Sequence, residues 1–356
     1  MHETDLHLDP NEASDLCQVF GPEVLERHAW DRAFVTVLDE AAAEDALALL
    51  VHSAGAPLDI GWEAMRVQAD PTADAGRTED AEACAARDGF VYVLGSQFGK
   101  KAGPLSARRS WIARVSEPSL AEAAAGGRAR LEIARLRFGL HRAVNDALVG
   151  AGLELLRLGP RAREAYVEAS IAVGEQKGKR WAGRIRRGDH PINVEAVEFR
   201  ADGRLLVGLR YPATAEGHPI LVEVDDVEAL FSDGEEVPRC GSVWVLGDVG
   251  TAGAPAGVRG LDSAGGDCFD AVVGDLDASG KSATVLEDHP QGARAASEHV
   301  RFSLPPAADG GVVPSEVVHH FGDVRRVEGV AVDHEGHAHY VIDEEGRVAL
   351  RTLIFE

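Results

Sequence analysis

Cysteine is scarce and scattered in this chain. Cys17, Cys84, Cys240 and Cys268 form no CxxC pair, which gives neither a zinc knuckle nor a disulfide framework and leaves them as buried thiols. Long apolar runs are missing as well. The N-terminal stretch MHETDLHLDPNEASDL carries no basic n-region and no apolar h-region, so neither a secretory signal nor a membrane span is expected. A cytoplasmic protein follows. Positive charge is in deficit, with 36 Lys and Arg against 59 Asp and Glu and a net charge of −23. That balance repels phosphate backbones and anionic bilayers, so no nucleic acid and no membrane is expected as a partner. Protein partners are not legible in it.

Familiar catalytic signatures are also absent. The chain has no nucleophile elbow, HExxH or dinucleotide fingerprint. Gly95 to Lys100 (GSQFGK) follows a strand pattern, but it is one residue too short for a P-loop, and Lys101 stands where Ser or Thr would bind magnesium. Arg187-Gly188-Asp189 has no adhesive meaning in a cytoplasmic protein.

What the chain does have is a repeat. With 45% hydrophobic and 27% charged residues and 39 glycines, it reads as a globular protein rich in turns. An apolar strand opening on a long charged residue recurs: Glu82 opens EACAARDGFVYVLGS, Glu195 opens EAVEFRADGRLLVGLR, and Glu328 lies in RVEGVAVDHEGHAHYVIDEEG. Weaker copies open at Glu26 (ERHAWDRAFVTVLDE) and Arg259 (RGLDSAGGDCFDAVVGD). Within most units a short strand meets a tight turn, at Asp88-Gly89, Asp202-Gly203, Gly265-Gly266 or Glu335-Gly336, and a β-branched strand follows, which is a hairpin signature. Third strands are expected at Trp111 to Val115, Ile220 to Val224, Ala283 to Glu287 and Val348 to Phe355, and a fourth at Glu316 to Phe321. Repeated antiparallel modules of this kind specify an all-β fold, a β-propeller.

The interval from Glu82 to Glu195 is about twice that from Glu26 to Glu82. It holds either a degenerate blade or an insert. HRAVNDALVGAGLELL and PRAREAYVEAS have helix-like composition without hairpin turns, so five blades with a short helical insert at about 139–170 are expected, six being the alternative. Residues 21–356 then form one propeller domain. The N-terminal segment 1–20, around Leu16 to Phe20, is expected to supply an outer strand that closes the ring.

DAEACAARDGFVYVLGSQ, INVEAVEFRADGRLLVGLR, GVRGLD and RVEGVAVDHEG together resemble the bacterial family called domain of unknown function 3616, over roughly residues 20 to 355. The resemblance implies a β-propeller near the esterase-like phytase group and brings no activity with it. The chain departs from the family pattern at Ala83 and Ala196, where Gly is common, and at Gly95-Ser96-Gln97-Phe98, where Gly-Ser-His-Ser is usual.

Inner strands of a propeller start near the central channel, so Glu82, Glu195 and Glu328, with weaker Glu26, are expected to converge on the axis beside Arg259. Like charges at roughly 4 to 8 Å repel by on the order of 1 to 4 kcal/mol per pair. One arginine can neutralise one carboxylate; the others need a cation, a proton or hydrogen-bond donors. Three outcomes stay open. The glutamates accept backbone amides from neighbouring blades and lock the ring, or Glu82, Glu195 and Glu328 hold a metal, calcium or magnesium being the cations that take such ligands, or the channel binds a small polar ligand. Residues ending the second strands, Asp39, Glu40, Ser96, Arg210, Asp275 and Asp343, are placed farther out or near a channel mouth.

Three functions correspond to this reading: a channel that binds a cation or small polar ligand, a metal-dependent hydrolase of phosphoester, ester or lactone substrates, or a protein-interaction scaffold. His337 and His339 share a strand face near His319, His320 and His334, a spacing that a transition metal can use, although a third ligand is not evident and an exposed strand face serves equally. Lys177 to Arg187 (KGKRWAGRIRR) is a basic island in an acidic chain. It reads as a solvated loop or as a place where a phosphate-bearing ligand is drawn.

Overall fold

The computed structural model describes all residues except 1, 9–12, 40, 73–76, 101, 232–236, 277–282, 307–308, 345–346 and 355–356. The described residues form five sheets, each an antiparallel meander of four strands apart from short parallel additions at two edges. Blade 1 runs Ala13–Gln18, Trp30–Leu38, Leu47–Ser53 and Trp62–Arg66. Blade 2 runs Ala81–Arg87, Phe90–Gly95, Trp111–Ser116 and Ala129–Arg135. Blade 3 runs Asn193–Phe199, Leu205–Tyr211, Ile220–Asp225 and Arg239–Leu246. Blade 4 runs Ala256–Gly265, Cys268–Asp275, Glu298–Ser303 and Ser315–His320. Blade 5 runs Val327–Val332, Ala338–Glu344 and Arg347–Leu353. Its fourth strand is His2–Leu6, which pairs antiparallel with Arg347–Leu353.

The first strand of each blade packs on the first strands of the blades before and after it, and blade 5 returns to blade 1. This closed ring of sheets is a β-propeller. Its core is divided accordingly. Separate apolar clusters fill the spaces between blades 1 and 2, 2 and 3, 3 and 4, 4 and 5, and 5 and 1. Radial closure leaves few bare strand edges, and two of the outer ones are covered: Ala69–Pro71 adds in parallel to blade 2 and Gly311–Val313 to blade 3. Among the described residues no helix is long and apolar enough to cross a membrane.

Two expected strands are placed differently. Glu26 lies on the short helix Pro22–His28, which buries none of its residues, and the inner strand of blade 1 is Ala13–Gln18. The stretch around Leu16 is therefore innermost, and the outer strand that closes the ring lies at His2–Leu6. Ala283–Asp288 is a helix, and the third strand of blade 4 is Glu298–Ser303. Only Ala283, Leu286 and Glu287 of its six residues are good helix formers, so tertiary packing decides the helix. Val285 joins the core formed by Leu158, Ala162, Tyr211 and Leu276, and the Asp288 carboxylate accepts the Ala162 amide at 2.8 Å.

The long interval between Glu82 and Glu195 contains helical structure and no further inner strand. It comprises Gly139–Gly150, a continuous helical stretch from Pro160 to Gln176, and the turn Arg180–Arg184, so the insert extends past residue 170. It packs on segments leaving the second strands of three blades, through Phe98 of blade 2, Tyr211 and Ala213 of blade 3, and Leu276 of blade 4. The approach is close: a Cβ on Gly103 would stand 1.9 Å from the Ala165 carbonyl oxygen, and Gly103 has a positive φ of 72°. Only glycine suits that position. The insert thus caps the end of the ring where second strands finish and inner strands begin.

Candidate functional site

In every blade the register between inner and second strand slips by one residue at the same place. The unpaired residues are Ser14, Glu82, Glu195, Arg259 and Glu328. Such a bulge bends the strand and re-aims the extra side chain. The recurring charged residue is therefore the bulge residue, and Ser14 holds in blade 1 the place expected of Glu26. The residue after the bulge sits where neighbouring inner strands approach most closely. A Cβ on Gly260 would be 2.7 Å from the Cα of Gly329, and one on Gly329 would be 2.8 Å from the Cα of Asp15. Ala83 and Ala196 occupy the same step in blades 2 and 3.

All five bulge residues are buried beneath the cap. Arg259 donates Nε to Glu328 Oε2 at 2.8 Å and Nη2 to Glu328 Oε1. Its Nε is 4.0 Å from Glu195 Oε2, and its Nη1 is 3.6 Å from Asp275 Oδ1. Burial works against the charge on Arg259, yet Glu328, Glu195 and Asp275 together hold its pKa above the ordinary value. Glu195 Oε1 accepts Arg210 Nη1 at 3.0 Å and Asn193 Nδ2 at 2.9 Å. Two of the three motif glutamates are thus committed to arginines.

Glu82 belongs to a separate group. Ligand oxygens of Asp39, Asp80 and Glu82 lie within 4.8 Å of one another, a geometry open to a cation; Glu195 and Glu328 join neither of the two such groups among the described residues. Asp80 accepts Arg109 Nη1 at 2.7 Å and the Ser96 hydroxyl. Burial pushes its pKa up to about 7, with Arg109 opposing and Asp39 adding to the rise. Asp275 is likewise raised by burial, opposed by Arg259 and Arg210. Of the residues ending second strands, Asp39, Ser96, Arg210 and Asp275 therefore reach this end of the channel. Glu40 and the side chain of Asp343 lie outside the described residues.

Polar atoms here that make no hydrogen bond among the described residues include Asn193 Oδ1, Arg259 Nη1 and Asp275 Oδ1. Their residues are 6%, 2% and 6% exposed. Buried polar groups are normally paired, at a cost of about 1 to 3 kcal/mol each when they are not.

Locking of blades through backbone amides falls to other carboxylates. Asp15 accepts the amides of Cys84 at 2.8 Å and Leu16 at 2.9 Å. Asp262 accepts the Val332 amide at 2.7 Å. Glu198 accepts the amides of Phe199, at 2.6 Å, and Ser263. Blades 1 and 2, 3 and 4, and 4 and 5 are joined in this way. Burial raises all three carboxyl pKa values, that of Asp262 to about 7, and the group reinforces itself because Asp262 raises Glu198 and both raise Asp15.

The histidines gather elsewhere. His339 is buried between Phe34 and Trp62 and bonds Asp333 Oδ2 at 3.0 Å and Thr352 Oγ1 at 3.0 Å. His337 reaches the same Asp333 oxygen at 3.3 Å, and Arg32 Nε donates to it at 2.6 Å. Asp333, Glu335 and His337 form the other group with metal-ligand spacing, but Arg32 bonds both of its carboxylates. His320 pairs with Glu298 on an outer strand at 2.9 Å.

Signals for some of the remaining site residues lie in plain view. Asp80 stands two positions before Glu82 and Asn193 two before Glu195, a spacing that two of the motif glutamates share. Ser14 left no such signal, being neither charged nor followed by a recognisable hairpin turn.

Fold and site together define a β-propeller with a capped polar channel. No family model matches this chain, and no curated protein matches it. Solved structures similar to it include a glucose dehydrogenase, 14% identical over 100% of both chains with a TM-score of 0.40. The GH43 endo-arabinanase from Bacillus licheniformis is 11% identical, with 99% of this chain and 97% of that chain covered and a TM-score of 0.45. The WD40 β-propeller domain of Doa1 is 9% identical, with 99% and 96% covered and a TM-score of 0.35.

Proposed function

We propose that the capped end of the channel binds a small polar ligand that both donates and accepts hydrogen bonds. The observation that carries this reading is the buried trio of Arg259 Nη1, Asp275 Oδ1 and Asn193 Oδ1, one donor and two acceptors that make no hydrogen bond among the described residues, the first two facing each other as an ion pair at 3.6 Å. A hydroxylated or amino-bearing molecule would satisfy donor and acceptors at once, and the arginine-paired glutamates would hold the trio in place. The four unpaired cysteines support a reducing, cytoplasmic setting.

A second reading rests on Asp39, Asp80 and Glu82. Oxygen ligands at this spacing suit calcium or magnesium, and a cation there would draw Asp80 back to its ionised form. If that cation also activated water, the same three carboxylates would hold the metal of a hydrolase.

The test is thermal shift of the purified protein with calcium, magnesium, a chelator, and a panel of polyols and amino-alcohols, since a ligand of the native state raises apparent stability. A saturable upward shift with panel compounds that is lost in Asn193→Ala supports the first reading, and absence of any shift sinks it. A calcium or magnesium shift lost in Asp80→Asn and Glu82→Gln supports the second. Hydrolysis enters only if an esterase, lactonase and phosphatase screen shows turnover that Asp80→Asn abolishes.

A further inference from the structure

The basic island forms one wall of a groove on the outer side of the cap. Lys177, Lys179 and Arg180 follow the insert's long helix, and across from them stand Arg108, Arg135 and Arg137 of blade 2, around a cavity of about 780 Å³. Trp181 contributes an apolar wall; it is half-buried, its ring packed edge-on against Phe138 at 4.9 Å. The blade-2 side is rigidly held. Arg135 donates to the carbonyls of Arg77 at 2.7 Å and Ala107 at 3.1 Å, and Arg108 pairs with Glu79 at 3.0 Å. On the opposite wall Lys177, Lys179 and Arg180 are exposed and have no carboxylate partner among the described residues.

A position just past a helix C-terminus favours a cation, which accounts for Lys177 but not for the other five. In a chain of net charge −23, six cations around one concavity form a local positive field that attracts anions. The volume lies within the range of small-molecule sites. Several cationic heads set around one space, four of them arginines whose forks bind phosphate oxygens bidentately, suit an anion with more than one phosphate group.

We infer that this groove binds a small anion carrying two or more phosphate groups, at a site separate from the channel. Titration calorimetry of the full chain with inorganic pyrophosphate and tripolyphosphate tests it. Tripolyphosphate is expected to bind at one site per chain, more tightly than pyrophosphate, with both weakening as ionic strength rises. The pair Lys177→Gln and Arg180→Gln should weaken binding roughly tenfold or more while the melting temperature stays unchanged, and Lys179→Glu alone should weaken it in the same direction. The inference is overturned if neither phosphate binds, or if the variants bind as well as the parent. It is equally overturned if citrate binds as tightly as tripolyphosphate, which would mark a general counter-ion atmosphere, or if a duplex oligonucleotide binds far more tightly than either.

Discussion

At the scale of single residues the inner channel holds two kinds of carboxylate with different work. The bulge residues Glu195 and Glu328 are charged partners of Arg210 and Arg259, whereas Asp15, Glu198 and Asp262 join blades by accepting backbone amides. The second set carries a pH consequence. The folded-state pKa of Asp262 is raised to about 7 from its ordinary value of 3.8, so the native state binds its proton more tightly than the unfolded chain does. Its contribution is present in full below the ordinary carboxyl value and is lost as pH rises from there through about 7. Asp262→Asn should therefore leave stability near that of the parent at pH 4 and raise it at pH 8, by an amount on the order of a few kcal/mol, with the melting temperature following. An amide oxygen still accepts from Val332 and never ionises. Scanning calorimetry from pH 4 to 8 decides this; a parallel offset at every pH would assign the effect to packing.

At the scale of elements the N-terminal strand is the piece that closes the ring. His2–Leu6 supplies the outer strand of a blade whose other strands come from the far end of the chain. Leu6 and Leu8 enter the core between blades 5 and 1, beside Leu16, Phe34 and Leu350, and Arg351 pairs with Glu3. Removing residues 1–8 should cost roughly 3 kcal/mol or more from the two leucines alone. The loss should appear as an earlier single transition in chemical unfolding. A separate early transition confined to blade 5 would mean that closure does not couple the ring.

At the scale of the whole molecule, the acid excess sets the long-range field. A net charge of −23 repels itself in the compact state, and salt screens that repulsion over a Debye length of about 10 Å at 0.1 M. The melting temperature should rise between 10 and 200 mM sodium chloride. A fall would show that ion pairs such as Arg114 with Glu132 at 2.7 Å outweigh the net repulsion.

The sequence by itself determined the propeller, the hairpins of most blades, the helical insert and the recurrence of Glu82, Glu195, Arg259 and Glu328. These are local signals: strand alternation, turn glycines and a repeated opening residue, each readable within a short window. Blade 1 escaped because helix Pro22–His28 interrupts its hairpin and puts Glu26 where a motif residue was expected. The stretch Ala283–Asp288 reads as a strand because its apolar pattern is short, and packing on the cap decides for a helix. Only the tertiary structure decided which carboxylates meet which partners. Glu195 and Glu328 meet arginines, Glu82 meets Asp39 and Asp80, and Asp15, Glu198 and Asp262 bind amides of neighbouring blades. Those pairings join residues far apart in the chain, and their distances follow from strand bulges and ring closure, which no local window contains.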